Sequence, residues 1–275
     1  MKNGMIMNIQ RRFWVPRGTL ILLLASLFPA GVLAAWSNPG QDFSGELTLD
    51  GEVTSVRNPW AWQVDKSAAG IKVKANTQKS RDGGLVWQGL MTDRPLLLGK
   101  TVLTTPAGRE GLAPVVNLGG GEPDFVLTSE GDGILRITVP VFAPEVTDSV
   151  AGSLQFRVEA GALIRYVVKD SPVYAGVHND FAGNGLPGKG QAMAAGRTAQ
   201  TLCGMFAGEG PAWLCAPSVP VRDEVPLSRF THNSLRQVEG VYGAQVVGGS
   251  GTLRLSGSSI PASWKATLPV RIEYR

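Results

Sequence analysis

Residues 43–53 alternate along their length. Phe43, Gly45, Leu47, Leu49, Gly51 and Val53 occupy one set of positions, and Ser44, Glu46, Thr48, Asp50 and Glu52 the other. Successive side chains of a strand point to opposite faces, so the pattern predicts a strand with one apolar and one polar face. A helix fits poorly, because the apolar spacing is 2 instead of 3.6 and each glycine costs about 1 kcal/mol against alanine. By pattern alone the segment is either a first edge strand of the chain's own sheet or a strand made for another molecule's sheet.

Period-2 runs recur downstream with turn residues between them. They predict short strands at 60–64, 70–75, 85–91, 95–98, 113–118 and 125–128, and a longer one at 134–142. Residues 154–159 and 162–168, joined through Ala160 and Gly161, read as a hairpin. From about 175 to 230 the alternation stops. This insertion holds a glycine-rich run at 182–190, an alanine-rich and proline-free run at 191–206 that predicts one helix, and a proline-rich stretch at 211–226. Strands resume at 237–247, 252–255 and 264–275. In the last, Leu268, Val270, Ile272 and Tyr274 share one face, and Pro269, Arg271, Glu273 and Arg275 the other. With 35 glycines and 18 prolines punctuating these runs, the fold class is all-β, a sandwich.

The first 35 residues read as a secretion leader. Lys2, Arg11, Arg12 and Arg17 precede an apolar run at 20–33, and small residues follow it, placing cleavage after Ala34 or Ala35. The apolar run is shorter than the roughly 20 residues a membrane span needs. Removing the leader changes the charge picture. Its four basic residues leave 22 of the 26 Lys and Arg against 22 Asp and Glu, so the exported part is formally neutral. A neutral chain gives no reason to expect nucleic acid as a partner. The two cysteines, Cys203 and Cys215, lie in the exported part and predict a disulfide worth about 3 kcal/mol in the chain-entropy view. A metal site is not expected, since His178 and His232 are the only histidines and neither stands at zinc-ligand spacing from the cysteines.

The two ends belong together. An alternating strand near the exported N-terminus and a final alternating strand suggest a sandwich that lacks a strand and lends one. Such a fold exposes an apolar groove that another chain fills by strand addition. Burying Phe43, Leu47, Leu49 and Val53 at about 1.5–3 kcal/mol each gives roughly 6–12 kcal/mol as an upper figure, enough to hold a polymer.

Several stretches carry a resemblance: Asp42-Phe43-Ser44-Gly45 with the run after it, Trp60-Ala61-Trp62, Arg94-Pro95-Leu96-Leu97-Leu98-Gly99-Lys100-Thr101, Tyr174-Ala175-Gly176-Val177, Ala194-Ala195-Gly196-Arg197-Thr198, and the ending from Trp264 to Tyr274. Together they resemble the Fae-type fimbrial subunits of the bacterial chaperone-usher pathway, its kappa class. The resemblance implies an incomplete immunoglobulin-like sandwich, exported through the periplasm to a surface fimbrium. It further implies partnership with a periplasmic chaperone, an outer-membrane usher and neighbouring subunits. Residues 36–54 match the N-terminal donor-strand extension, and 55–275 the subunit body with its insertion at 175–230. Leu268, Val270, Ile272 and Tyr274 match the C-terminal strand that the chaperone grips. Subunits of the pathway often have glycine fourteenth from the end, where this chain has Ala262; Gly257 is the nearest upstream.

The role this implies is a structural or minor subunit. The alternative is an adhesin subunit that recognises a host glycan through the insertion, with Trp213 as the possible ligand contact. Enzyme chemistry and cofactors are not expected. Asp180, Glu209, Asp223 and Glu224 show no paired spacing for acid–base work, and the run from Gly183 to Gly190 lacks the Ser or Thr a phosphate loop needs after its lysine. That run reads instead as a flexible surface loop, and Gly119-Gly120-Gly121 as a turn.

Overall fold

The computed structural model describes residues 58–64, 71–73, 78–79, 84–121, 124–143, 150–216, 220–256, 261 and 263–275. All of them fall in the compact unit Thr54–Arg275. The leader, and the segment 43–53 with Phe43, Gly45, Leu47, Leu49, Gly51 and Val53, lie outside the described residues.

The first strands are β1 (Trp60–Val64), β2 (Gln78–Lys79), β3 (Leu85–Gln88), β4 (Arg94–Thr101), β5 (Thr105–Ala107) and β6 (Pro114–Leu118). The middle of the chain holds β7 (Val126–Gly131), β8 (Ile134–Phe142), β9 (Val150–Val168) and β10 (Ser171–His178). Helix α1 (Ala195–Phe206) is followed by β11 (Val221–Pro226) and a 3-10 turn at Leu227–Thr231. The chain closes with β12 (Arg236–Val246), β13 (Thr252–Leu255), β14 (Lys265–Ala266) and β15 (Val270–Tyr274). The result is an all-β sandwich with one α-helix among the described residues. A large sheet runs in the order β1-β4-β12-β9-β13-β3-β2, with β8 and β10 on the other edge of β9; the second layer is the antiparallel pair β15–β6.

Strand β9 organises the large sheet. Along one edge it meets first β13 and then β12, and along the other first β8 and then β10. This corrects the hairpin expected at Ala160-Gly161. A two-residue hairpin turn needs positive φ, and neither residue has it. Instead the ladder runs straight through, with Ala160 opposite Ala244 and Gly161 opposite Gly243. Gly161 serves a close approach: a Cβ there would sit 3.1 Å from Met193 Cε. The true hairpin comes later, at Lys169 and Asp170, whose φ values of 47° and 62° match the twist of the flanking strands.

Both faces of the middle of this sheet are buried. Leu97, Phe156, Ile164, Tyr242 and Val246 join β6 and the half-buried side of β15 in the central core. Their strand neighbours Leu98, Leu163 and Val241 point the other way and pack with Leu202, Met205 and Phe206 of α1 in a second cluster. The helix begins at Ala195, later than the expected 191, because the preceding residues are bound elsewhere: Gln191 N–H donates to Gly188 O, and Gln191 O accepts from Gly133 N–H. Thr198, Leu202, Met205 and Phe206 recur at helical spacing and form its buried face. The helix has no side-chain cap of its own. Asp132 Oδ1 accepts the Ala194 N–H at 3.0 Å, and Arg197 bridges to Asp132 at 2.8 Å and Glu159 at 2.6 Å. The Ala194 amide, opposed by burial and helped by Arg197, holds the Asp132 carboxyl below its ordinary range. Burial works against the Arg197 charge, but hydrogen bonds to Glu159 and Asp132 outweigh it and raise that group. At the other end Ala207 closes the helix in the left-handed region.

The glycine-rich run is not a free loop. Asn184 and Gly185 donate backbone N–H to Val116 O at 3.1 and 2.9 Å, and the Asn184 side-chain amide pairs with both Leu118 N and Leu118 O. The buried Tyr242 hydroxyl donates to Gly185 O at 2.6 Å, and burial pushes that phenol's pKa up. Glycine is required here by proximity, since a Cβ at 185 would lie 2.5 Å from Val116 Cγ1. The segment 183–185 thus docks on the far edge of β6. Strand β11, inside the proline-rich stretch where none was expected, pairs in parallel with β10. There His178 Nδ1 lies 3.1 Å from Glu224 Oε1, within ion-pair range but without hydrogen-bond geometry.

Candidate functional site

The C-terminal strand carries an alternating apolar face that is only half covered among the described residues. Residues Val270 to Tyr274 pair with Leu118 to Pro114, and the ladder continues at both ends through Gly119 N–H to Pro269 O and a reciprocal pair between Ala113 and Arg275. Among the described residues β15 has this ladder on one edge alone. Leu268, Val270, Ile272 and Tyr274 all sit half-buried against the central core, as their alternation predicts. The expected continuous strand over 264–275 is broken, however. Lys265 and Ala266 pair with Phe142 and Val141 of β8, and the chain then crosses to the second layer through Thr267-Leu268-Pro269. Proline lacks the N–H a continuing ladder would need, which suits it to that crossing.

At the far end of β15 the Tyr274 hydroxyl accepts a hydrogen bond from Trp62 Nε1 at 2.8 Å. Trp62 is positioned by β1, where it faces Gly99 of β4. Its ring occupies the space over that glycine, so a Cβ at 99 would fall 2.4 Å from Trp62 Cζ3. Trp60 stacks on Trp62 with centroids 5.4 Å apart and donates Nε1 to Leu112 O at 2.9 Å. The two tryptophans of the Trp60-Ala61-Trp62 motif therefore pack on the core while Ala61 faces solvent, and Trp62 ties the last strand to the first described one.

At the near end of β15 an apolar cleft of about 380 Å³ opens into the sandwich. Its floor is the central core, with Val139, Leu154, Phe156 and Val246; Ile71 and Met91 contribute wall, as do Trp264, Ala266 and Leu268. Arg94, Lys265 and Thr267 supply its polar part. The sequence offered half of this. Trp264, Ala266 and Leu268 extend the alternation of the last strand upstream, whereas nothing in the pattern around Ile71 or Met91 marked them as lining residues. Residues 71–73 are not in a strand, contrary to the expectation for 70–75.

The remaining expected site residues lie elsewhere. Cys203, on α1, and Cys215 are disulfide-bonded with Cα atoms 5.2 Å apart. Trp213, inside that loop, is half-buried: its ring packs against Tyr174 at 5.7 Å, and its Nε1 is buried without a hydrogen-bond partner. Among the described residues no group of three or more His, Cys, Asp and Glu gathers as a metal cluster would, and no helix is long and apolar enough to cross a membrane.

A protein family described as fimbrial, major and minor subunit, matches residues 17–275. A protein of Escherichia coli, the K88 minor fimbrial subunit FaeI, is 46% identical over 260 residues, which cover 94% of this chain and 98% of that protein. The chain belongs to this fimbrial subunit family. As a fimbrial subunit it is a structural protein of a cell-surface fimbrium, and its neighbours there are other subunits. Strand β15, which has a ladder on one edge alone among the described residues, and the apolar cleft beside it are accordingly its candidate subunit contact.

Proposed function

We propose that this fimbrial subunit polymerises by strand exchange. Residues 43–53 of one copy add to the open edge of β15 in the next, and their apolar face enters the cleft beside Trp264 and Leu268. The reading rests on β15, which has a ladder partner on one edge alone among the described residues and an apolar cleft at its entry. Strand addition supplies what both features need. Main-chain hydrogen bonds satisfy the edge, and alternate side chains fill the groove. Phe43, Leu47, Leu49 and Val53 have the right period, while Gly45 and Gly51 suit places where two backbones approach closely. Before assembly the same edge is an aggregation hazard, so a periplasmic chaperone strand occupies it, gripping Leu268, Val270, Ile272 and Tyr274, and an outer-membrane usher receives the complex. In this reading the chain is a minor or structural subunit.

The test removes residues 36–53 from the exported protein and follows it by co-purification and gel filtration. A truncated subunit that still binds its chaperone but no longer joins the fimbria is the expected result. Unfolding in the presence of chaperone would instead make 43–53 an intrinsic core strand and end the proposal. Leu47→Asp sharpens the test by placing one charge in a neighbour's groove. Incorporation is lost while the chaperone complex persists; normal fimbriae from this variant would refute strand donation by 43–53.

A further inference from the structure

Asn184-Gly185 is the only Asn-Gly pair outside the leader. In an open chain the backbone nitrogen of the residue after an asparagine attacks the side-chain carbonyl carbon, and glycine, with no Cβ, obstructs that attack least. The Gly185 nitrogen gives up its proton to base and bonds to Asn184 Cγ. The Cγ–Nδ2 bond breaks, and Nδ2 leaves as ammonia with a proton from water. Water then opens the cyclic imide at either carbonyl, leaving aspartate or, with the main chain rerouted through the side chain, isoaspartate. The balance is amide plus water to acid plus ammonia, with nothing oxidised or reduced.

In the folded chain the groups this reaction uses are engaged by β6. Gly185 N–H donates to Val116 O at 2.9 Å, so the proton that must leave is held. Asn184 Nδ2 donates to Leu118 O at 2.9 Å and Oδ1 accepts from Leu118 N–H at 2.7 Å, so the leaving group and the carbonyl are held as well. The Asn184 N–H bond to Val116 O at 3.1 Å and the Tyr242 hydroxyl bond to Gly185 O at 2.6 Å pin the backbone on either side. Gly185, Leu186 and Pro187 are buried, which keeps base and water from the reacting nitrogen. Reaction therefore requires 183–185 to leave β6 in a local opening.

The product does not fit the place it left. An ionised carboxylate only accepts, so aspartate at position 184 still takes the Leu118 N–H but sets its second oxygen against Leu118 O. Isoaspartate adds a methylene to the main chain ahead of Gly185 and carries its N–H away from Val116 O. We propose that Asn184-Gly185 is a one-way modification site. Docking on β6 preserves the amide, and a subunit whose segment 183–185 stays undocked is converted and does not dock it again. Val116 and Leu118 are also the ladder partners of Ile272 and Val270, so the modification acts on the strand that carries β15. Its chemistry depends on docking alone and does not rest on strand exchange.

The test incubates the purified exported chain in mildly alkaline buffer, folded and in urea with its disulfide intact, and follows each asparagine by peptide mapping and mass spectrometry. In urea Asn184 converts first. In the folded subunit its conversion is at least about tenfold slower, because it proceeds only through a rarely populated open state, whereas the rate at the exposed Asn233-Ser234 changes less. Tyr242→Phe removes the bond to Gly185 O without touching the reacting groups; it speeds conversion in the folded subunit and leaves the rate in urea unchanged. After return to native buffer, the fraction converted in urea stays protease-sensitive at 181–190, and Asn184→Asp shows the same sensitivity. Equal rates at Asn184 in the folded and unfolded chain would overturn protection by docking. Recovery of full protease resistance by the converted fraction would overturn the one-way step. Both decisive comparisons use the unsubstituted chain, so neither depends on whether a variant folds.

Discussion

The two faces of the central sheet meet the same problem in different ways. On the outer face Leu98, Leu163 and Val241 are covered by α1 of the same chain, and the helix residues Leu202, Met205 and Phe206 are almost completely buried. On the inner side, at β15, Leu268, Val270, Ile272 and Tyr274 are only half-buried, and the cleft beside Trp264 remains open. The apolar chemistry is alike. The difference is whether the covering element is tethered. Where the helix, the Cys203–Cys215 disulfide and the Arg197 bridges hold a cover in place, the face becomes core. Where no described element covers it, the face stays half-buried, as the proposed strand exchange requires.

The comparison is most easily broken at its covered end. Leu202→Ala removes a fully buried side chain and should destabilise the folded subunit by about 2–5 kcal/mol in chemical denaturation. Replacing Cys203 and Cys215 by serine should cost about 3 kcal/mol in the same experiment, because the loop closing the helix end is released. Gly185→Ala should cost about 1–3 kcal/mol through the clash with Val116, with increased protease sensitivity at 181–190. At the open end the expected balance is reversed. Ile272→Ser should cost the isolated subunit no more than about 1 kcal/mol, since its side chain is incompletely buried, but should reduce subunit association sharply in gel filtration. If Ile272→Ser destabilises the isolated subunit as much as Leu202→Ala does, the distinction between the two faces is lost.

The smallest effect concerns pH. The folded-state pKa of Asp132 is lowered, so its contribution is fully present above the ordinary carboxylate range and is lost as pH falls through the lowered value. Asp132 is largely exposed, and solvent screening keeps the term below about 1 kcal/mol. Asp132→Asn should flatten that part of the pH–stability curve measured by thermal unfolding, and Arg197→Ala should do so only in part, because the Ala194 amide is the larger cause.

Much of the sandwich was legible in the sequence. The run 134–142 and the pair of strands at 236–246 and 252–255 carry period-2 patterns that any half-buried strand must show, and the structure places strands there. The proline-free segment yielded the helix, though its first turn was consumed by bonds to Gly133 and Gly188 that no local pattern encodes. Ala160-Gly161 misled for the same reason. Small residues permit a turn, but they also permit Met193 to press against a continuing strand, and only the neighbour distinguishes the two. The cleft was half legible, through Trp264, Ala266 and Leu268; Ile71 and Met91 lie in runs read as short strands, but neither is in a strand, and their approach to the cleft is a tertiary contact that no local pattern encodes.

The sequence by itself determined which side of the last strand faces inward. That choice follows from a two-residue repeat, which is a property of the extended backbone and needs no partner. It also determined the disulfide pair, since only two cysteines exist. The tertiary structure alone decided which edges were paired and which loops were held. The docking of 183–185 on β6, the parallel partner of β10 and the ladder of β15 with β6 each join residues far apart in the chain. Hydrogen bonds of that reach depend on which backbone arrives opposite, and a local pattern of side chains carries no record of that arrival.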